Sequence, residues 1–532
     1  MSTASILPTA ARGKRIPSIR RLAAWLASRA GDPKAGLWLV TGFAVVHAVL
    51  WTLILVNLKT GQDVHMDVAE AFAWGQKFLL GYGKHPPLSG WVAGIWFMIF
   101  PVTDWATYAL AMATLGCGLV ICWLVALRVV DRRRAFFVVV MLALYPIFNF
   151  KGFKYNPDLL QLVTLPLMVL AYLDAFEKRS VKSGVWLGLA GALALMTKYW
   201  VLTMIGAIGL AALIHPARLQ FLRSPAPWVA IATLAVAMAP HLMWLKQVNF
   251  VPLTYAGDTY SISDRTMIDD LALGYVGHNL ALLALPVVLG AIALAWRPWR
   301  WKPFPFWSRG ANSGVQISQA INVWIIQAVV AIGPPLGALI FKVYIKTDWG
   351  IPLFFLVPLA LVAIPALRVR RIALLNLTVS WLVITLVVLA ASPKIVAYEL
   401  DQKRTEGSTY RARSELAREL TEMWHTRFRS RWPVVAADMD TGQPVAFYSP
   451  DHPAPLTPNE PWSSGLTSLD EARRSGFIGI CEPGHWKMEQ CEAWMKAHAA
   501  NGEHMVMTTR RFFLGIPGPA TTWNVVIVPP AK

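Results

Sequence analysis

Apolar runs long enough to cross a lipid bilayer recur along this sequence, and they restrict its folding more than any other feature. The first covers about Leu37 to Leu58. Further runs cover about 106–127, 135–152, 159–176, 184–200, 201–214, 227–245, 271–296, 320–341, 349–367 and 372–392. A helix needs roughly 20 apolar residues to span a hydrocarbon core of about 30 Å. Lipid offers no hydrogen bonds, so each segment must satisfy its own backbone groups. Charged residues make up only 15% of the chain, against about 25% in soluble proteins. The expected fold is mainly α: a polytopic membrane protein with about eleven transmembrane helices. The run Pro86 to Phe100 is short and bounded by prolines, and reads as a re-entrant or juxtamembrane helix.

Charge orients these runs. Lysine and arginine exceed the acids by 19. In a soluble chain that excess suggests nucleic acid; here it collects in loops, and no nucleic-acid partner is expected. With the N-terminus inside, five loops fall on the cytoplasmic side: Arg128 with DRRR at 131–134, EKRSVK at 177–182, HPARLQFLR at 215–223, RPWRWK at 297–302 and RVRR at 368–371. Each is basic, as the positive-inside rule requires. Residues 1–35 form a basic segment in which Ile19, Leu22 and Leu26 share a helical face, read as an interfacial helix. Arg29 interrupts its apolar stretch, which argues against a cleaved signal peptide.

The remaining division follows. Residues 36–395 hold the spans, and 396–532 form a small α/β domain on the extracytoplasmic side. Leu416, Leu420, Met423 and Trp424 mark an amphipathic helix there, and PVVAAD, PVAFYS, GFIGIC and TTWNVVIV read as strands. Cys481 and Cys491 lie in that domain, where a disulfide can form.

The outer face collects the unusual polar residues. The first outer loop carries Asp63, Asp67 and Glu70, with the acids spaced to share one face of a helix. Phe72, Phe78 and Leu79 suggest that this helix lies flat on the membrane, and Lys84-His85-Pro86-Pro87 follows as a rigid basic turn. The same side receives Lys151, Lys154, Asn156 and Asp158 in KGFKYNPDLL, Lys198-Tyr199, and Lys342, Lys346 and Asp348 in KVYIKTDW. One lysine alone reads as a snorkelling anchor. Together they describe a membrane-level cavity of acids and cations suited to a lipid phosphate.

The stretch MDVAEAFAWGQKFLLGYGKHPPLSGW resembles the first outer loop of GT-C glycosyltransferases. Within that superfamily it is similar to protein O-mannosyltransferases, lipid A aminoarabinose transferases and rhizobial lipopolysaccharide galacturonosyltransferases. Asp67, Gly81-Tyr82 and His85-Pro86-Pro87 keep the family spacing. The likeness continues in NPDLL, ALMTKYW, PHLMWLKQ and KTDWGIPLFF, over roughly 36–395. The chain departs from the pattern at Val68, where the family often has a second acid, and at Lys84, where many members have an acid. The C-terminal domain matches no family motif.

What the resemblance implies is inverting transfer of a single sugar from a polyprenyl-phosphate donor to a glycolipid or other envelope acceptor, with lipopolysaccharide core or lipid A favoured. The site would be the periplasmic face of a bacterial inner membrane, with membrane lipids as further partners. Asp67 and Asp158 are the candidate catalytic residues, Asp67 as base. Asp63, Glu70, Tyr82, Lys84, His85, Lys198, Tyr199 and Lys346 are the candidate substrate-binding residues. Asp63, His65 and Asp67 would suit Mg²⁺ or Mn²⁺, but this branch generally works without a metal, so no cofactor is expected. A lipid-linked sugar flippase and a protein O-glycosyltransferase are the alternatives, with a non-catalytic assembly subunit behind them. Transporters tend to carry internal repeats and broken helices at the bilayer midplane, and neither feature stands out here.

Overall fold

The computed structural model describes residues 19–260, 265–295, 314–458 and 465–531. The RPWRWK loop and the first part of the basic N-terminus lie outside the described residues. Every apolar run is helical. Along the chain come α1 (Ile19–Gly31), α2 (Pro33–Lys59), α3 (Met66–Gly75), α4 (Leu88–Ile99), α5 (Asp104–Leu127), α6 (Arg132–Leu144), α7 (Pro157–Lys178) and α8 (Val181–Leu195). They are followed by α9 (Leu202–Ile214), α10 (Arg218–Leu222), α11 (Pro225–Gln247), α12 (Val251–Tyr260), α13 (Arg265–Ala295), α14 (Ile317–Phe341), α15 (Val357–Val362) and α16 (Arg371–Asp401). Among the described residues, seven helices are long and apolar enough to cross a membrane, or eight if α6 and its bent continuation count as one. The other apolar helices are shorter, including α4 with 12 residues. This is a multi-pass membrane protein.

In α1, Leu26 turns inward with Ala23, Ala27 and Ala30, while Ile19, Leu22 and Trp25 stay exposed. The apolar positions are therefore split between two faces, one packed on the bundle and one left open.

The break after α6 matters for what lies above it. The chain bends by 79° between Arg132–Leu144 and Pro146–Phe153, which frees backbone carbonyls at membrane depth, a costly state unless they find partners. Asn149 supplies them: its side-chain amide donates to Ala143 O and Tyr145 O, both at 3.1 Å. Buried His47 lies 2.6 Å from Phe148 O through Nε2, and Trp381 Nε1–H donates to its Nδ1 at 3.0 Å. With Nδ1 accepting, Nε2 carries the proton and donates. One imidazole thus ties α2, α16 and the bent segment together, and the bend delivers Lys154 and Asn156 to the cavity described below.

After Asp401 the architecture changes. α17 (Arg413–Phe428) leads to β1 (Val434–Ala437), α18 (Met439–Tyr448), β2 (Ala454–Leu456), α19 (Leu469–Ser475), β3 (Phe477–Cys481), α20 (Met488–His498), β4 (Glu503–Thr509), the short pair β5 (Phe512–Phe513) and β6 (Ile516–Pro517), and β7 (Thr521–Val528). The five-stranded sheet has the order β2-β1-β3-β7-β4, with β1 parallel to β2 and β3, and β7 antiparallel to β3 and β4. Successive residues alternate between two cores. Val435, Ala437, Ile478 and Ile480 pack with Leu416, Leu420 and Trp424 of α17, while Val434, Ala436 and Phe477 pack with Met495 of α20. The amphipathic helix and three of the four expected strands occur. PVAFYS is the exception: it belongs to α18. Parallel strands β1 and β2 need a crossover between them, and this segment provides it. Val445, Ala446 and Phe447 are all buried, so no in–out alternation exists for a strand. Cys481 and Cys491 form a disulfide with a Cα–Cα distance of 5.9 Å.

The sheet domain is fastened to the first outer loop by a buried charge network. The Asp63 carboxylate accepts from Arg511 Nη1 at 2.7 Å, Ser414 Oγ at 2.6 Å and Arg413 N at 2.6 Å. Arg511 Nη2 also reaches Asp104 Oδ2 at 3.3 Å, and the Tyr448 hydroxyl donates to Asp104 Oδ1 at 2.8 Å. Beside it, Phe72 of α3 packs edge-on to Phe97 and Phe447. α3 therefore does not lie flat on a membrane; the sheet domain covers it. Below α3, Gly75 and Gly94 let it touch α4, since a Cβ on Gly75 would stand 2.5 Å from Gly94 N.

Removing one partner of a buried ion pair leaves the other charge uncompensated, at a cost of roughly 3 kcal/mol. Arg511→Met should lower the thermal stability of the purified protein accordingly, and adding Asp63→Asn should recover part of the loss. An unchanged melting temperature in Arg511→Met would refute the clamp.

Candidate active site

A cavity of about 740 Å³ opens at the end of the bundle that carries the sheet domain. Its wall gathers Asp67 and Glu70 from α3, Lys84 and His85 from the following turn, Asp158 from α7, Lys198 and Tyr199 before α9, and Lys346 and Trp349 from the segment before α15. Residues spread over about half the chain thus meet in one place.

Asp67 sits in the first turn of α3, where the helix dipole favours a carboxylate and the His65 ring caps the start by accepting from Asp67 N at 3.2 Å. The Asn156 amide donates to Asp67 Oδ2 at 2.8 Å, and Lys154 Nζ lies 3.4 Å from the same oxygen. Burial raises the Asp67 pKa, but His65 when protonated, Lys154, the Asn156 hydrogen bond and Lys84 more than offset it, and the carboxyl is held well below the usual carboxylate range. Burial also lowers the His65 pKa. Near neutral pH that ring is uncharged, so the two lysines and the amide keep Asp67 ionised.

Two ion pairs line the rest. Lys84 Nζ lies 2.6 Å from Glu70 Oε1, with both side chains buried, and also touches Met439 Sδ at 3.0 Å. Lys198 Nζ donates to both Asp158 oxygens, at 2.8 and 2.9 Å, and lies 5.0 Å above the Trp349 ring. A carboxylate with an ammonium so close holds the cation in one place, which is the condition for meeting a phosphate without reorganisation. His85 is half-buried, with its Nδ1 enclosed and lacking a hydrogen-bond partner among the described residues. Burial, then Lys198 and Lys84, push its pKa well down against the pull of Asp67, so it presents a neutral imidazole.

Tyr199 completes the wall through a relay. His241 Nδ1 faces Leu80 O at 2.8 Å and its Nε2 faces the Tyr199 hydroxyl at 3.0 Å. The carbonyl can only accept, so Nδ1 carries the proton and the tyrosine donates to Nε2. The Leu80–His85 loop is pressed against α11: a Cβ on Gly81 would stand 2.2 Å from the Trp244 ring.

Of the expected site residues, Asp67, Asp158, Glu70, Lys84, His85, Lys198, Tyr199 and Lys346 all face this cavity. Asp63 and Tyr82 do not, which corrects the expectation for both. α3 begins only at Met66, so Asp63 never shares its face, and the clamp uses its oxygens. The Tyr82 hydroxyl donates to Trp74 O at 2.8 Å and Lys77 O at 2.7 Å while its ring stacks on Trp74. With Asp63 turned away, the ligand set weighed for Mg²⁺ or Mn²⁺ is not assembled. Asn156, Lys154 and Trp349 join the site as neighbours of motif residues. Met439 comes from the C-terminal domain, where no sequence signal pointed to the cavity.

A family model described as dolichyl-phosphate-mannose-protein mannosyltransferase matches residues 84–244. A lipid A galacturonosyltransferase (RgtD) of Rhizobium johnstonii is 26% identical over 239 residues, covering 43% of this chain and 46% of that protein. A lipopolysaccharide core galacturonosyltransferase (RgtB) of the same organism is 24% identical over 330 residues, covering 60% of this chain and 63% of that protein. The chain thus spans between about half and two thirds of the length of these curated relatives. Crystal structures of ArnT from Cupriavidus metallidurans, bound to undecaprenyl phosphate and in the apo state, share the fold. Their TM-scores are 0.55 and 0.56 over 92% of this chain and 98% of theirs, at 12% and 13% identity. The chain is thus similar, through its transmembrane part, to GT-C glycosyltransferases of the branch that its outer-loop motifs resemble.

Because the folded-state pKa of Asp67 is depressed, the stability it contributes is present above the unfolded value of about 3.9 and is lost only as pH falls through the lower folded value. Difference infrared spectra of wild-type and Asp67→Asn protein should show no protonated Asp67 at or above about pH 4. A carboxyl band titrating between about pH 5 and 7 would contradict the arrangement.

Proposed function

We propose that this protein is an inverting glycosyltransferase that moves one sugar from a polyprenyl-phosphate carrier to a lipopolysaccharide acceptor, lipid A or its core. The reaction would take place at the periplasmic face of a bacterial inner membrane, with residues 36–395 as the catalytic part and 396–532 as a periplasmic domain. The observation that carries the reading is an ionised, half-buried Asp67 facing the same 740 Å³ cavity as Lys84, Lys198 and Lys346. The names of the rhizobial relatives and the undecaprenyl phosphate of the ArnT structure support the substrate classes.

In the proposed step an acceptor hydroxyl attacks the anomeric carbon of the sugar. The new carbon–oxygen bond forms as the bond to the phosphate oxygen breaks, and the electron pair leaves with the polyprenyl phosphate. Asp67 takes the hydroxyl proton. Its lysine neighbours alone make it a weak base, but an entering phosphate would share those cations and raise its pKa toward the range a general base needs. Lys84 and Lys198, held by Glu70 and Asp158, and Lys346 at the cavity wall stabilise the charge on the leaving phosphate. If the acceptor group is a phosphate, no proton needs to be removed and Asp67 orients the reactants instead.

The test is transfer by detergent-purified protein from a polyprenyl-phosphate galacturonate, the sugar the relatives' names suggest, to lipid A or core, read by mass spectrometry. Asp67→Asn should cut turnover by about 10²–10⁴-fold for a hydroxyl acceptor while leaving the protein folded. Carrier translocation without transfer would replace this reading with a flippase.

The lysines differ as test positions. Removing Lys84 or Lys198 strands a carboxylate and costs stability as well as binding. Lys346 is exposed on the cavity wall, so Lys346→Met should leave the melting temperature unchanged. It should lower kcat/KM for the carrier by about ten- to a hundredfold, the effect of roughly 1.5–3 kcal/mol from one charge-assisted contact. Unchanged kinetics would remove Lys346 from the phosphate site.

A further inference from the structure

A second cavity, of about 770 Å³, lies at the other end of the bundle. α2 and α16 start beside it and end near the outer loop and the sheet domain, and α5 runs the opposite way, from Asp104 in the clamp to Leu127 on its wall. These helices have 24–31 residues and rise about 1.5 Å per residue, so a bilayer's thickness separates the two cavities. The wall carries Arg132, Arg133, Arg134, Arg368 and Arg370 against one acid, Asp131.

This concentration of guanidinium groups is built into the fold. Asp131 caps α6, accepting from Arg133 N and Arg134 N at 3.0 and 3.1 Å, and pairs with Arg134 Nε at 3.2 Å. Arg134 is buried, with Nη2 donating to Leu367 O at 2.8 Å. Its Nη1 has no hydrogen-bond partner among the described residues. A buried guanidinium nitrogen without an acceptor is costly, and on a cavity wall it marks the place for an anionic oxygen. Arg133 Nε donates to Ala27 O at 3.0 Å, which binds α1 to the cavity rim. α1 in turn exposes Ile19, Leu22 and Trp25 on its free face.

We propose that this cavity binds the phosphodiester headgroup of an anionic phospholipid. Guanidinium groups match phosphate oxygens in a planar fork, and basic pockets between spanning helices suit such headgroups. A phosphate is the shared chemistry of a lipid and a small soluble anion. The lipid is favoured because the cavity lies where the spans begin and adjoins a helix whose exposed face is apolar. Acyl chains would cover Ile19, Leu22 and Trp25 while the headgroup fills the arginine cavity. The bound lipid would hold α1 against the bundle through Arg133 and would not enter the transfer reaction.

The experiment is native mass spectrometry of the delipidated full-length protein with phosphatidylglycerol or phosphatidylcholine of identical chains, with inorganic phosphate as competitor. Phosphatidylglycerol should be retained in preference to phosphatidylcholine, and equimolar phosphate should not displace it. Arg132→Gln combined with Arg368→Gln removes two rim charges while leaving buried Arg134 in place, and should weaken retention by about fivefold for each charge. Equal retention of the two lipids, or unchanged retention in the double variant, would overturn the proposal. Displacement by equimolar phosphate would do the same, by making the cavity a soluble-anion site. If the double variant fails to fold, the two wild-type comparisons still decide the matter.

Discussion

A carboxylate buried beside a membrane must be paid for by its partners, and Asp63 shows how this protein arranges them. Its oxygens are used by Arg511, Ser414 and the Arg413 backbone, all from the C-terminal domain. Three residues later α3 begins, and one residue after that stands Asp67. The clamp therefore fixes where the helix starts, and the helix start fixes where the Asp67 carboxylate points. The C-terminal domain acts as a roof: it holds α3 from above through Tyr448, Phe447 and the clamp, and contributes Met439 to the cavity.

The same logic operates from below. The bend after Leu144 exposes backbone to lipid, and Asn149, His47 and Trp381 repair it with side-chain hydrogen bonds. Only because the helix breaks there can Lys154 and Asn156 rise to meet Asp67. The lysine–acid pairs at Lys84–Glu70 and Lys198–Asp158 then place cations at membrane level without leaving any of them alone. In the proposed reaction a phosphate entering the cavity would meet these preset charges.

Much of this was legible in the sequence. Apolar run length located the helices, because lipid permits few alternatives, but of the eleven expected spans only seven, or eight with the bent pair, form helices long enough to cross among the described residues. The outer-loop motif and the distant Asp158, Lys198 and Lys346 identified the charged residues of the cavity wall, because charges at membrane depth need a partner or a task. Asp63 misled because four-residue spacing means a shared face only inside a helix, and the helix starts after it. PVAFYS misled because its strand-like residues lie between two covering layers and a sheet, where burial on every side erases the alternation that separates strand from helix. Met439 was illegible for another reason. Its role depends on how a separate domain docks, and local pattern carries no record of that.

The central claim is a single displacement at the anomeric carbon, with Asp67 on the acceptor side and the lysines on the leaving phosphate. Its most direct test is the anomeric configuration of the product, determined by NMR after transfer from a donor of known configuration. Inversion is the predicted result. Retention would require a covalent or doubly displaced sugar and would contradict the account.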